Sequence, residues 1–84
     1  MEGDERLNMK GLVEYLVKSF VERPDKVLLA ERTHDGSVYL ELSVAPEDVG
    51  RVIGKNGKTI NAMRTVAQAA AASRNKKCRL ELIG

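Results

Sequence analysis

The stretch Val52-Ile53-Gly54-Lys55-Asn56-Gly57-Lys58-Thr59-Ile60 constrains this chain more than any other. Two glycines stand three positions apart with a cation and an amide between them, and aliphatic residues enter and leave the stretch. A glycine has no Cβ, so other groups can come close to its backbone and its own φ can be positive. Set between two helices, such a loop turns free N–H groups and a helix N-terminus outward, which suits an anion, phosphate above all. Cations surround it: Arg51 before, Lys58 after and Arg64 a little beyond. The rest of the chain is expected to be the scaffold that holds this loop rigid.

With 84 residues there is room for one domain. Residues 1–8 have no periodicity and are expected to be a disordered extension, leaving 9–84 as the domain. Asn8 can cap a helix running to about Glu22, with Met9, Leu12, Val13, Leu16, Val17 and Phe20 on its apolar side. Glu14 and Lys18 form an i,i+4 pair in the favourable order. Pro24 cannot continue that helix. Two strands, Val27 to Thr33 and Ser37 to Val44, flank Asp35-Gly36, a two-residue hairpin turn signal. This turn sets His34 opposite Ser37. It puts Val38, Leu40, Leu42 and Val44 on one face with Thr33, Glu31, Leu29 and Val27; a one-residue slip would set charges against that row.

Ala45-Pro46-Glu47-Asp48 opens a short second helix, with proline and carboxylates where a first turn favours them. Val49, Val52 and Ile53 give it an apolar side, and it stops at Gly54. A third helix runs from Lys58 to about Ser73 with Ile60, Met63, Ala67 and Ala70 as its buried stripe. Ala62, Val66, Ala69 and Ser73 make a second stripe of mostly small residues on another face. This stripe is a candidate helix–helix dimer contact, against the plainer reading that alanine is the best helix former. Arg74-Asn75-Lys76-Lys77 reads as a polar turn, and Cys78-Arg79-Leu80-Glu81-Leu82 as a third strand with Cys78, Leu80 and Leu82 inward. The order α-β-β-α-α-β, with helices on one face of a three-stranded sheet, is a two-layer α+β domain.

Charge narrows the function. The net charge of +2 conceals two unlike halves: residues 1–50 carry six basic and eleven acidic side chains, net −5, and residues 51–84 eight basic and one acidic, net +7. A basic half beside an acidic one suggests a polyanion partner for one face. An aromatic content of 4% weighs against stacked aromatic platforms. The single cysteine cannot form an internal disulfide, which points to a reducing compartment, and the acidic start is unlike a signal peptide. No apolar run has the length of a membrane span. The expected location is the cytoplasm.

The loop in its context, Val-Ile-Gly-x-x-Gly-x-x-Ile with a helix on each side, resembles the signature of the KH domain. The element order resembles the type II, prokaryotic form. Leu12-Val13-Glu14-Tyr15-Leu16-Val17, the run from Val44 to Ile60 and the alanine-rich third helix carry the likeness to the small bacterial proteins built of one KH domain. The resemblance covers the chain from Met9 to Gly84. It implies that Gly54, Lys55, Asn56 and Gly57 clamp the backbone of about four unpaired RNA nucleotides. It also implies an apolar groove floor, which maps onto Val49, Val52 and Ile53. Homodimers are implied, as is a larger protein partner with its own KH domain and a second small nucleic-acid-binding domain. The residues themselves agree. Lys55 and Lys58 add charge, Arg51 and Arg64 flank the path of the strand, and bases would lie on aliphatic side chains. The alternative from another class is a protein-interaction module whose groove does not bind RNA.

Enzymatic readings find little support. Gly57-Lys58-Thr59 copies the end of a P-loop, but the required earlier glycine is replaced by Val52, and a helix precedes it in place of a strand. His34, the only histidine, sits beside a turn without the arrangement that would make it a base. Cys78 reads as a small core residue, and Glu47 and Asp48 as helix-start charges. No catalytic constellation, metal cluster or cofactor motif emerges, and the expectation is a non-enzymatic binding module.

Overall fold

The structure, a computed structural model, describes residues 9–83. Its elements are α1 (Met9–Lys18), β1 (Leu28–His34), β2 (Ser37–Ser43), α2 (Val49–Ile53), α3 (Lys58–Ala72) and β3 (Lys77–Leu82). Short 3₁₀ turns at Pro24–Lys26, Pro46–Asp48 and Lys55–Gly57 join them. The sheet order is β1-β2-β3, with β1 and β2 antiparallel and β2 and β3 parallel. This is the α+β architecture of a type II KH domain, as expected. The Asn8 cap and the extension of residues 1–8 lie outside the described residues.

The hairpin register follows from its turn. Asp35 and Gly36 take φ of 52° and 76°, so both turn residues are left-handed and the strands leave in register. His34 pairs with Ser37, Thr33 with Val38, Glu31 with Leu40 and Leu29 with Leu42. Val38, Leu40 and Leu42 are buried against the helices, and alternate residues of β2 face the other side. Val13 and Val17 of α1 reach 0% exposure against this layer, each burial stabilising by about 1.5–3 kcal/mol. The α3 stripe is Ile60, Met63, Ala67 and Ala71. Ala70, expected in that stripe, is only partly buried, and Ala71 takes its place one turn after Ala67. Cys78 and Leu80 are buried from β3, and Leu82 packs at the core's margin.

The first helix is shorter than expected: it ends at Lys18, not near Glu22. Ser19 Oγ donates to the Leu16 carbonyl at 2.6 Å, and Phe20 and Val21 fold back to pack against the core as a turn. The N–H groups of Glu22 and Arg23, which a continuing helix would use internally, donate instead to Asp48 Oδ1 and Oδ2, both at 3.0 Å. The second helix is also divided, into the 3₁₀ turn at Pro46–Asp48 and the α-helical Val49–Ile53. Helix α3 closes with Lys76 N donating to Ala71 O and Asn75 N to Ala72 O, while Asn75 takes φ of 58°. This is a Schellman ending with asparagine in the left-handed position.

Candidate nucleic-acid interface

The loop between α2 and α3 is built from three consecutive backbone decisions. Gly54 ends α2 with its N–H on the Gly50 carbonyl at 2.9 Å and takes φ 76°, ψ 172°, a region open in practice to glycine alone. A Cβ there would run into Thr59 Oγ1 and stand 2.7 Å from Thr59 Cβ and 2.9 Å from Thr59 N. Conformation and space therefore both demand glycine. Asn56 follows at φ 58°, ψ 27°, which asparagine tolerates better than most residues. Gly57 sits at φ 75°, ψ 12°, with only Asn61 Nδ2 near a notional Cβ, at 3.6 Å. At Gly57 the backbone angle, not crowding, makes the demand.

The turn uses some of its N–H groups and leaves others. Gly57 N donates to Gly54 O at 3.1 Å and Lys58 N to Lys55 O. The N–H groups of Lys55 and Asn56 donate to no carbonyl among the described residues. Helix α3 then starts without a side-chain cap and without an acidic residue in its first turn. Its first position is a lysine, the charge that a helix N-terminus disfavours. Local stability would call for the opposite sign. The arrangement gains from an external anion, which would accept the free N–H groups and offset the clustered positive charge.

The expected site residues divide into distinct groups. Gly54, Lys55, Asn56, Gly57 and Lys58 are contiguous, and the two lysines make no ion pair among the described residues. Arg51 is committed elsewhere: Nη2 lies 2.9 Å from Glu22 Oε2 and Nε donates to Asp48 Oδ1 at 3.2 Å. Arg64 is half-buried against the sheet edge, with Nε on the Leu80 carbonyl at 3.2 Å and Nη1 on Asn61 Oδ1 at 3.1 Å. Val49 is partly buried and Ile53 is exposed, so both present apolar surface beside the loop. Val52 reaches 0% exposure and supports that surface from beneath. Ala62, Val66, Ala69 and Ser73 are all exposed along α3, away from the core stripe.

Sequence reasoning missed Asp48. Read as a helix-start charge, it makes no cap bond to its own helix. Its carboxylate is fully buried and satisfied by Glu22 N–H, Arg23 N–H and the Arg51 guanidinium. The Glu22 N–H, joined by those of Arg23 and Arg51, holds its pKa below the ordinary 3.8 against the opposing effect of burial. The signal was an aspartate at the end of the turn entering α2, with an arginine three residues later. Nothing local marks residues 22 and 23 as its partners.

Comparison with known proteins agrees with this fold. The family model described as KhpA/KhpB, KH domain, matches residues 10–82. The RNA-binding protein KhpA of Clostridium acetobutylicum is 51% identical over 75 residues, covering 89% of this chain and 100% of that protein. The KhpA proteins of Halalkalibacterium halodurans and Chlamydia trachomatis are 44% and 40% identical over the same share of this chain, covering 99% and 96% of theirs. Among solved structures, Era of Aquifex aeolicus bound to GDP and aluminium fluoride superposes with a TM-score of 0.64 at 17% identity. That superposition covers 98% of this chain and 31% of Era and shows a shared fold. Matched from residue 10 to residue 82 and built as an α-β-β-α-α-β domain around its glycine loop, the chain belongs to the KhpA/KhpB KH-domain family.

Proposed function

We propose that this protein binds single-stranded RNA without catalysis, clamping the sugar-phosphate backbone of about four nucleotides at Gly54–Gly57. The observation that carries this reading is the loop itself. Gly54 occupies a glycine-only conformation, the N–H groups of Lys55 and Asn56 have no acceptor among the described residues, and Lys55 and Lys58 stand in the same stretch with no ion pair among them. Val49 and Ile53 supply the apolar surface on which bases would rest. The name shared by the relatives, RNA-binding protein, supports the same ligand. One such groove reads few nucleotides, so binding is weak and salt-sensitive on its own.

The protein is proposed to act in the cytoplasm, as an RNA chaperone or post-transcriptional regulator. No helix among the described residues is long and apolar enough to cross a membrane. It is proposed to pair with itself or with a larger KH-containing RNA-binding protein. The exposed Ala62, Val66, Ala69 and Ser73 stripe supports the first, and the naming of KhpA and KhpB together in the family's description supports the second.

Replacing Lys55 and Asn56 together by aspartate tests the clamp. Aspartate also tolerates the left-handed angle of Asn56, so circular dichroism and Tm should match the parent. Two phosphate-facing positions gain negative charge, and affinity for single-stranded RNA should fall by at least about tenfold at moderate salt. A folded variant that binds RNA like the parent at the same salt rules out the clamp and favours a module that only binds protein.

A further inference from the structure

The sheet face turned away from the helices is uncovered. Across its middle the pairing register sets Arg32, Tyr39 and Arg79 in one row, one residue from each strand. In the antiparallel pair Arg32–Tyr39, opposed residues have Cβ atoms about 4.5–5.5 Å apart. The two arginines are not equivalent. Arg32 Nη2 donates to Glu41 Oε2 at 2.6 Å and is neutralised there. The Arg79 side chain makes no hydrogen bond, ion pair or ring contact among the described residues, and neither does the half-buried Tyr39 side chain. Lys76 and Lys77, at the start of the same edge strand, also meet no acid among them.

Tyr39 is among the lining residues of two hollows. One, of ≈ 470 Å³, is shared with Lys76, Lys77 and Arg79 and continues to Gln68 on α3. The other, of ≈ 410 Å³, lies on the Arg32 side. Cations on an edge strand are ordinary protection against strand pairing, and that explains the lysines. It does not explain a half-buried aromatic residue in register with Arg79, beside three cations that make no ion pair among the described residues even though Glu81 shares their face.

We propose that this patch is a second contact for single-stranded nucleic acid, where one base stacks on Tyr39 while the adjoining phosphates meet Arg79 and Lys77. A lone aromatic accommodates one base, in keeping with a chain so poor in aromatic residues. The 15 residues of α3, about 22 Å of helix, separate the glycine loop at its start from Lys76 beyond its end. A strand of four nucleotides is held by the loop alone; a longer one reaches both contacts. The inference rests on the reading above for the class of ligand, but the two fail separately.

The probes are oligoadenylates of about four and about twelve nucleotides, titrated against the whole chain. Tyr39→Leu and, independently, Arg79→Gln should each weaken the longer oligomer by about tenfold and leave the shorter unchanged. Tyr39→Phe, which keeps the ring, should bind like the parent. Arg79→Gln should also lower the salt slope for the longer oligomer by about 0.7. If Tyr39→Leu and Arg79→Gln chains that fold like the parent keep its affinity for both lengths, the second contact is wrong and the clamp stands. If the parent binds neither length, the RNA-binding reading itself falls. A photoreactive phenylalanine at position 39 that captures protein instead of RNA in cells also overturns the proposal.

Discussion

Asp48 is a buried anion held by three donors from two places in the chain, Glu22-Arg23 and Arg51, and no described buried side-chain polar atom is left without a partner. Its role is to tie the turn after α1 to the start of α2, and so to fix the helix that leads into the glycine loop. The pH dependence follows from the lowered pKa. A carboxylate whose folded pKa lies below its unfolded value stabilises the fold above the unfolded value, here near 3.8, and loses that contribution as pH falls through the folded one. Asp48→Asn replaces one acceptor oxygen by an NH₂ group that faces existing donors. At neutral pH its Tm should lie several degrees below the parent's. The gap should narrow once pH drops under about 3.8, because the parent then loses the same interactions. Tm curves that stay parallel from neutral to strongly acidic pH would show that the carboxylate's charge is not what holds the turn.

At the scale of elements, what was legible in the sequence depended on how local its cause was. The hairpin register was legible because Asp35-Gly36 dictates it within two residues. The glycine loop was legible because its positive φ angles fall on glycine and asparagine. The end of α1 was not, since it is set by a carboxylate twenty-five residues downstream that claims the Arg23 N–H. Likewise the i,i+3 spacing from Asp48 was the one local sign of where the Arg51 guanidinium turns, and nothing nearby pointed to Glu22. Helix α3 shows the conflict between folding and binding most clearly. Its first turn holds Lys58 and no acid. Lys58→Glu would suit the helix dipole and should raise stability by about 0.3–1 kcal/mol. The same change sets a carboxylate beside the loop and should weaken RNA binding by about tenfold at low salt, with the deficit shrinking as salt rises. Urea melts and RNA titrations on one preparation check both halves. A variant that is more stable and binds equally well would remove Lys58 from the interface.

For the whole molecule the question is how one small groove gains useful affinity. The basic half of the chain contains the loop, α3 and β3, so a second copy joined through α3 would bring two clamps together without burying either. The Ala62, Val66, Ala69, Ser73 stripe is exposed and lies away from the core stripe of Ile60, Met63, Ala67 and Ala71. Small side chains there let two helices approach closely, and Ser73 Oγ is already turned onto the Ala70 carbonyl at 2.7 Å. If the stripe is a self-contact, the parent sediments as a dimer. Ala69→Glu, which keeps helix propensity nearly intact, then sediments as a monomer with an unchanged circular dichroism spectrum. Linking two weak sites raises avidity by effective concentration, so the monomeric variant should lose about a hundredfold in affinity for an RNA long enough to span both loops. Its affinity for an oligomer of about four nucleotides should stay at the parent's value, because that ligand engages one loop only. An Ala69→Glu chain with the parent's sedimentation coefficient would reduce the stripe to helix-forming alanine and leave dimerisation to another surface.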